Sequence, residues 1–333
     1  MGANVNVGDL VSVLNVYIPV IKNAGVSSDK GLTVVSDGKI ETAGEETAAD
    51  TESSLKQFES NSGSAGGYLG FGSGVQISGC DVNKLRHTNV QEPEDLQQQD
   101  GSAYFAEDSK YAVKAPQYAG GFVGKLDIGN AAAVGNGLGV LDKVLNLQEA
   151  LDVLDVVSSN ITDSDVTGDA GGFSVLADGK ESGKAIGHAG GYAGSVDGSL
   201  IEKSNSHNFA YIIGQETAGG FVGNMEPGSV AEVIGDVNVL GGIASVENLA
   251  SILNSFIPRI HSSSTDAVPC GGVVRAEAES EENDAGGIDL KGVAGGYVGY
   301  NNGGEIEGQN GIIASADRIR SVYGYEYAGG YTG

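Results

Sequence analysis

Four histidines, two cysteines and 44 aspartates and glutamates are the side chains of this 333-residue chain that could carry acid–base, nucleophilic or metal chemistry. His87, His188, His207 and His261 stand apart, with no carboxylate, cysteine or second histidine at the spacing of a triad or a metal site, and they read as ordinary loop histidines. HExxH, GxSxG and the Walker sequence are absent, as is GxGxxG in the strand–turn–helix context that gives it meaning. Cys80 and Cys270 lack CxxC or Cys/His ligand spacing, so they make no zinc site, and their separation predicts that they are not bonded to each other.

The carboxylates are numerous enough to line one face of a polysaccharide-processing β-helix, although sequence alone pairs none of them. Two acidic runs, "QEPEDLQQQD" over 91–100 and "EAESEEND" over Glu277–Asp284, read as solvated loops. The missing calcium nonapeptide GGxGxD leaves no defined cofactor, with Ca²⁺ compatible with the acidity and nothing more.

The charge balance narrows the partners. A net charge of −26 with only 18 Lys and Arg excludes nucleic acid, because phosphate contact needs clustered cations. No apolar run reaches the ~18 residues of a membrane span, so the reading has no membrane insertion. Met1 is followed by neither a basic n-region nor an apolar h-region, and the chain reads as a fragment whose export signal and anchor lie outside it. Glycine supplies 55 residues without a Gly-X-Y period and with only 6 prolines, so the chain is glycine-rich but not collagenous.

What must position any chemistry is a repeat. AGGYLG at Ala65, AGGFVG at Ala119, AGGYAG at Ala189, AGGFVG at Ala218, AGGYVG at Ala294 and AGGYTG at Ala328 restate one motif. Two-residue alternation through Ala218–Gly223 would put Phe221 on one strand face between side-chain-free positions, with Ala218, Gly220 and Val222 on the other. Stacked, such segments give a ladder of rings at Tyr68, Phe122, Tyr192, Phe221, Tyr297 and Tyr331, one rung per layer. A second strand is expected after each rung, in "SGVQISGCDV", "DGSLIEKSNS" and "GGEIEGQNGI", with Gly/Asn/Asp turns and a shared Gly-x-Ile or Gly-x-x-Ile. "SVLNVYIPVI" (Ser12–Ile21) matches "SILNSFIPRI" (Ser251–Ile260), which sets a longer repeat with approximate units 1–118, 119–217 and 218–333. Helical spacing of Leu141, Val144, Leu145, Leu151 and Leu154, and of Ile243, Val246, Leu249, Ile252, Leu253 and Phe256, predicts amphipathic helices covering the scaffold.

"GGYVGYNNGGEIEGQNG" (Gly295–Gly311) and "GGYLGFGSGVQISGCDV" (Gly66–Val82) resemble the GLUG motif: Gly-Gly-Leu-Val-Gly, a polar spacer, Gly-x-Ile, then Asn-Cys-Tyr. Cys80 falls near the motif's cysteine, an aromatic replaces its Leu at all six sites, and the resemblance covers a third to a half of the chain. It implies a secreted or wall-anchored bacterial surface protein, placed outside the cell, that meets a protein or glycan on a host or neighbouring cell. The combined expectation is a mainly β chain: one continuous, elongated parallel β-helix over 1–333, with glycine-rich rungs and short amphipathic helices along one side. Its expected role is structural and adhesive and non-catalytic; the alternative is a carbohydrate-active β-helix, a lyase or hydrolase with an acidic groove.

Overall fold

The computed structural model describes residues 18–36, 63–86, 111–129, 158–181, 184–228, 257–279, 281–282, 288–289, 291–309 and 311–333. Among them the chain is strand and turn, with no helix. Both expected amphipathic helices, and the acidic run 91–100, lie outside the described residues.

Turn residues cut the chain into strands mostly of three to five residues, too short to be stable alone. Each gains its neighbours by stacking. Val20–Lys22, Gln76–Ser78, Asn160–Thr162, Leu200–Glu202, Arg259–His261 and Glu305–Glu307 form one sheet, whose in-register centre is an isoleucine column: Ile21, Ile77, Ile161, Ile201, Ile260 and Ile306. Ser64–Gly66, Tyr118–Gly120, His188–Gly190, Thr217–Gly219, Val293–Gly295 and Tyr327–Gly329 form a second, with an alanine column from Ala65 to Ala328. Leu69–Ser73, Val123–Asp127, Ala193–Asp197, Val222–Glu226 and Val298–Asn301 form a third. A fourth, longer sheet includes Asn205–Gly214, which bends at Asn208 in a left-handed conformation where its register shifts. Every pairing in these four sheets is parallel; the two short hairpins, Lys180–Glu181 with Lys184–Ala185 and Glu281–Glu282 with Ile288–Asp289, are antiparallel. The chain visits isoleucine sheet, long sheet, alanine–glycine sheet and third sheet in that order, then repeats the circuit.

The turn leaving the isoleucine strand takes the same backbone form after five of the six strands. Asn23, Gly79, Asp163, Lys203 and Ser262 take φ of 53, 61, 49, 48 and 50° there, a conformation that costs a non-glycine residue about 1–2 kcal/mol. After Asp163, Lys203 and Ser262 a serine offsets that cost. The hydroxyls of Ser164, Ser204 and Ser263 donate to the carbonyls of Thr162, Glu202 and His261 at 2.8, 2.9 and 3.0 Å. The same oxygens accept the N–H groups of Cys80, Ser164 and Ser204, one circuit earlier, at 3.0, 3.2 and 3.1 Å. Cys80 heads this serine column as a fully buried free thiol, 3.4 Å from the Ser78 carbonyl. Cys270 is also free and packs against a separate cluster around Tyr111 and Tyr211.

Two-residue alternation does not run through the repeated motif. Thr217–Gly219 belongs to the alanine–glycine sheet and Val222–Glu226 to the third sheet, with a corner at Gly220–Phe221, so Ala218, Phe221 and Val222 all point into one core. The glycines make this corner possible. A Cβ on Gly219 would lie 1.8 Å from the Val222 carbonyl oxygen across the turn; on Gly220, 2.1 Å from the Gly296 oxygen of the next circuit; on Gly223, 2.6 Å from the Gly194 oxygen of the previous one. One glycine closes the turn and two let successive circuits touch.

Gly220→Ala is therefore expected to cost about 3 kcal/mol or more, the upper end of overpacking. At Gly330, where an added Cβ meets nothing within 4 Å, the same change is expected to stay within about 0.5 kcal/mol. Chemical denaturation of the two variants compares them directly.

Candidate functional site: the ring column and the polar groups around it

The corner aims the motif's aromatic residue inward. Tyr68, Phe122, Tyr192, Phe221, Tyr297 and Tyr331 stack in one column with centroid spacings of 4.9, 5.0, 4.9, 5.1 and 4.9 Å. Neighbouring planes are within 8, 4, 26, 5 and 13° of parallel. Phe122, Tyr192, Phe221 and Tyr297 are fully buried, Tyr68 is half-buried and Tyr331 is 38% exposed. The backbone repeats the pattern, because the N–H groups of Phe122, Tyr192, Phe221 and Tyr297 each donate at 2.8 Å to the carbonyl of the next ring residue.

The tyrosines in the column need partners for their hydroxyls, and the serine column supplies those of Tyr192 and Tyr297. Tyr192 Oη donates to the Ser164 carbonyl at 3.0 Å, Tyr297 Oη to that of Ser263 at 2.8 Å, and Tyr331 Oη to that of Ala314 at 3.0 Å. Burial holds the Tyr192 and Tyr297 phenols well above their ordinary pKa, so both remain donors at neutral pH. Tyr68 is pushed up to about 12 by burial and by the neighbouring Cys80.

On the outer side of the same corner lies a polar cluster. Lys125 Nζ sits 3.0 Å from Asp197 and 3.6 Å from Asp127, and 5.0 Å from the centre of the Tyr118 ring. Burial opposes the lysine charge, but Asp197, Tyr118 and Asp127 together hold its pKa above the usual value. Asp197 also accepts from Ser195 Oγ at 2.7 Å, and Glu226 follows Asp197 in register with a carboxyl raised by burial and by Asp197. Tyr118 stacks on His188 at 5.3 Å.

The described histidines lie on strands, which corrects the loop reading, and each faces an acid that sequence spacing conceals. His207 Nδ1 lies 2.7 Å from Asp266 Oδ2, 59 residues on, and Arg318 pairs with the other oxygen of that carboxylate. The hydrogen bond that His207 donates to Asp266 raises the His207 pKa; burial opposes ionisation of Asp266, but the bonds it accepts from His207 and Asn208 outweigh that and lower its pKa. His261 Nε2 lies 3.7 Å from Glu305. His188 Nδ1 meets Thr217 Oγ1 at 2.9 Å, with Glu216 3.5 Å from Nε2. Burial, then Lys125 and Lys291, lower its pKa to about 3, so His188 is neutral and its contact with Glu216 is not an ion pair at pH 7. His87 lies outside the described residues. Of the acidic run at Glu277–Asp284, Glu277 pairs with Arg275 at 2.8 Å.

What these groups can do chemically is limited by how they are already engaged. The rings are inside, and Lys125, Asp127 and Asp197 satisfy one another. Among the described residues, no helix is long and apolar enough to cross a membrane. No protein-family model, curated protein or solved structure matches the chain.

Phe221→Ala is expected to destabilise the chain by roughly 3–5 kcal/mol, the cost of a cavity under a buried ring, and Tyr331→Ala by clearly less; thermal melts of both variants test the difference. His188 yields a pH prediction. The unfolded chain protonates this side chain near pH 6.5 and the folded one only near 3. Its contribution is therefore complete above pH 6.5 and is lost as pH falls from there to about 3. His188→Gln should flatten the stability–pH curve across that window, as read by urea midpoints.

Proposed function

We propose that this chain is a structural and adhesive, non-catalytic segment of a bacterial surface protein, built as a parallel β-helix whose surface presents binding groups outside the cell. The observation that carries this reading is the unbroken six-ring column, repeated at every circuit together with the isoleucine and alanine columns. Chemistry concentrated at one place leaves its mark on one layer, whereas here the same residues recur in all of them. That uniformity suits a spacer or presenting scaffold, in which each repeat contacts mainly its neighbours. The GLUG resemblance of Gly66–Val82 and Gly295–Gly311 supports the extracellular setting. A strongly acidic surface keeps such a scaffold soluble and directs it away from anionic lipid and nucleic acid, towards a protein or glycan ligand.

One observation favours the carbohydrate-active reading instead. Asp197 and Glu226 are cross-strand neighbours, and Lys125 lies between Asp197 and Asp127 beside Tyr118, which gathers carboxylates, an ammonium and a phenol. The mutual engagement of these groups makes it the second choice.

Beads coated with the purified chain should bind saturably to at least one member of a panel of extracellular-matrix proteins and surface glycans. The same preparation should leave neutral and acidic polysaccharides intact. Polysaccharide turnover that disappears in Asp197→Asn or Glu226→Gln would replace the adhesive reading with the enzymatic one.

A further inference from the structure

The outer face of the isoleucine sheet carries a group of ligating side chains that neither the ring column nor the Lys125 cluster uses. In the strand Glu305–Glu307 the two carboxylates flank the inward Ile306 and so share the outer face. The adjacent strand Arg259–His261 puts His261 in register with Glu307. One ring nitrogen of His261 and one carboxylate oxygen from each glutamate lie within 4.8 Å of one another, and Nε2 is the nitrogen that faces Glu305. Nε2 is shielded from solvent and has no hydrogen-bond partner, and its nearest acid, Glu305 Oε1 at 3.7 Å, is beyond hydrogen-bond reach. A buried imidazole nitrogen without a hydrogen-bond partner, on a ring grouped with two carboxylates, calls for a partner among them.

We propose that His261, Glu305 and Glu307 bind a divalent first-row transition cation, with Zn²⁺ the best fit. One imidazole nitrogen with two carboxylate oxygens is a zinc-type donor set, whereas Ca²⁺ and Mg²⁺ select oxygen alone. Ligand atoms about 2.0–2.2 Å from a tetrahedral ion sit roughly 3.4 Å apart, so donors now within 4.8 Å must close by up to about 1.4 Å. The two ends of the site divide that task. His261 is 14% exposed in its side chain and fixed, while Glu305 is 53% exposed and free to adjust. Gln309 Nε2 donates to Glu307 Oε2 at 2.9 Å, which orients that carboxylate and leaves its other oxygen for the ion. On the far side of His261, its cross-strand neighbour Glu202 is occupied by Lys203 at 3.1 Å and does not complete the set. Three protein ligands leave a fourth position open to water or to a donor from a partner. Because two ligands come from one circuit and the third from the circuit before, the ion joins successive layers.

Calorimetric titration of Zn²⁺ into the purified chain, with thermal melts, tests this. The expected result is one saturable site and a melting temperature that rises by several degrees with excess Zn²⁺ but not with equal Mg²⁺ or Ca²⁺. His261→Gln, and the exposed Glu305→Gln should the first variant fold poorly, are each expected to weaken binding by at least about a hundredfold, and Gln309→Ala by about tenfold. Co²⁺ in place of Zn²⁺ should give weak visible bands without thiolate charge-transfer absorption. No saturable Zn²⁺ binding, undiminished binding in both His261→Gln and Glu305→Gln, or a thiolate spectrum would each overturn the proposal.

Discussion

Parallel strands stack about 4.8 Å apart, and aromatic rings pack face to face at nearly the same distance. This coincidence governs the molecule. A ring placed at the same point of every circuit meets its successor at 4.9–5.1 Å with no adjustment of the backbone. Each such pair contributes about 0.5–1.5 kcal/mol beyond its area burial, so a single slipped layer would lose contacts on both sides. The rings thereby fix the register of the four sheets. They can do so only if the chain turns sharply beside each one, and the glycines at that corner are what allow the carbonyls of adjacent circuits to approach.

The same spacing organises the polar groups. A hydroxyl at one turn reaches both its own carbonyl and the N–H of the circuit before, so the serine column satisfies backbone donors that a buried turn would otherwise leave unpaired. The Tyr192 and Tyr297 hydroxyls end on carbonyls of that column, which links the ring stack to the turns and makes tyrosine as acceptable as phenylalanine in a dry core. On the outside, stacking brings like residues into line, and it concentrates acid: Asp127, Asp197 and Glu226 would repel one another without Lys125 among them. In a chain of net charge −26, each such cation counts.

The sequence makes the ring positions legible because the signal is local: glycine on both sides of an aromatic, restated six times. It does not reveal the corner, since Ala218–Gly223 reads as continuous alternation and only the backbone clearances of Gly219 and Gly220 show that the strand must break. The histidines' partners are hidden for another reason. His207 meets Asp266 from 59 residues away, a distance set by the length of the intervening circuit and not by any motif. The serine column was within reach. Cys80, Ser164, Ser204 and Ser263 each stand three residues after a column isoleucine, and the left-handed residue stands two after it, so aligning the chain on Ile-x-x-Ser/Cys would have exposed both.

Amide hydrogen exchange resolved by NMR tests the stack most directly, because the backbone of each interior ring residue bonds to the next ring residue in the column. The account predicts that the N–H groups of Tyr192 and Phe221 exchange among the slowest in the protein, through global unfolding, with protection declining towards Tyr68 and Tyr331 at the two ends of the column. Exchange of the Tyr192 and Phe221 amides at the rate of exposed turns would contradict it, since rings in a continuous column cannot sit on backbone that opens freely.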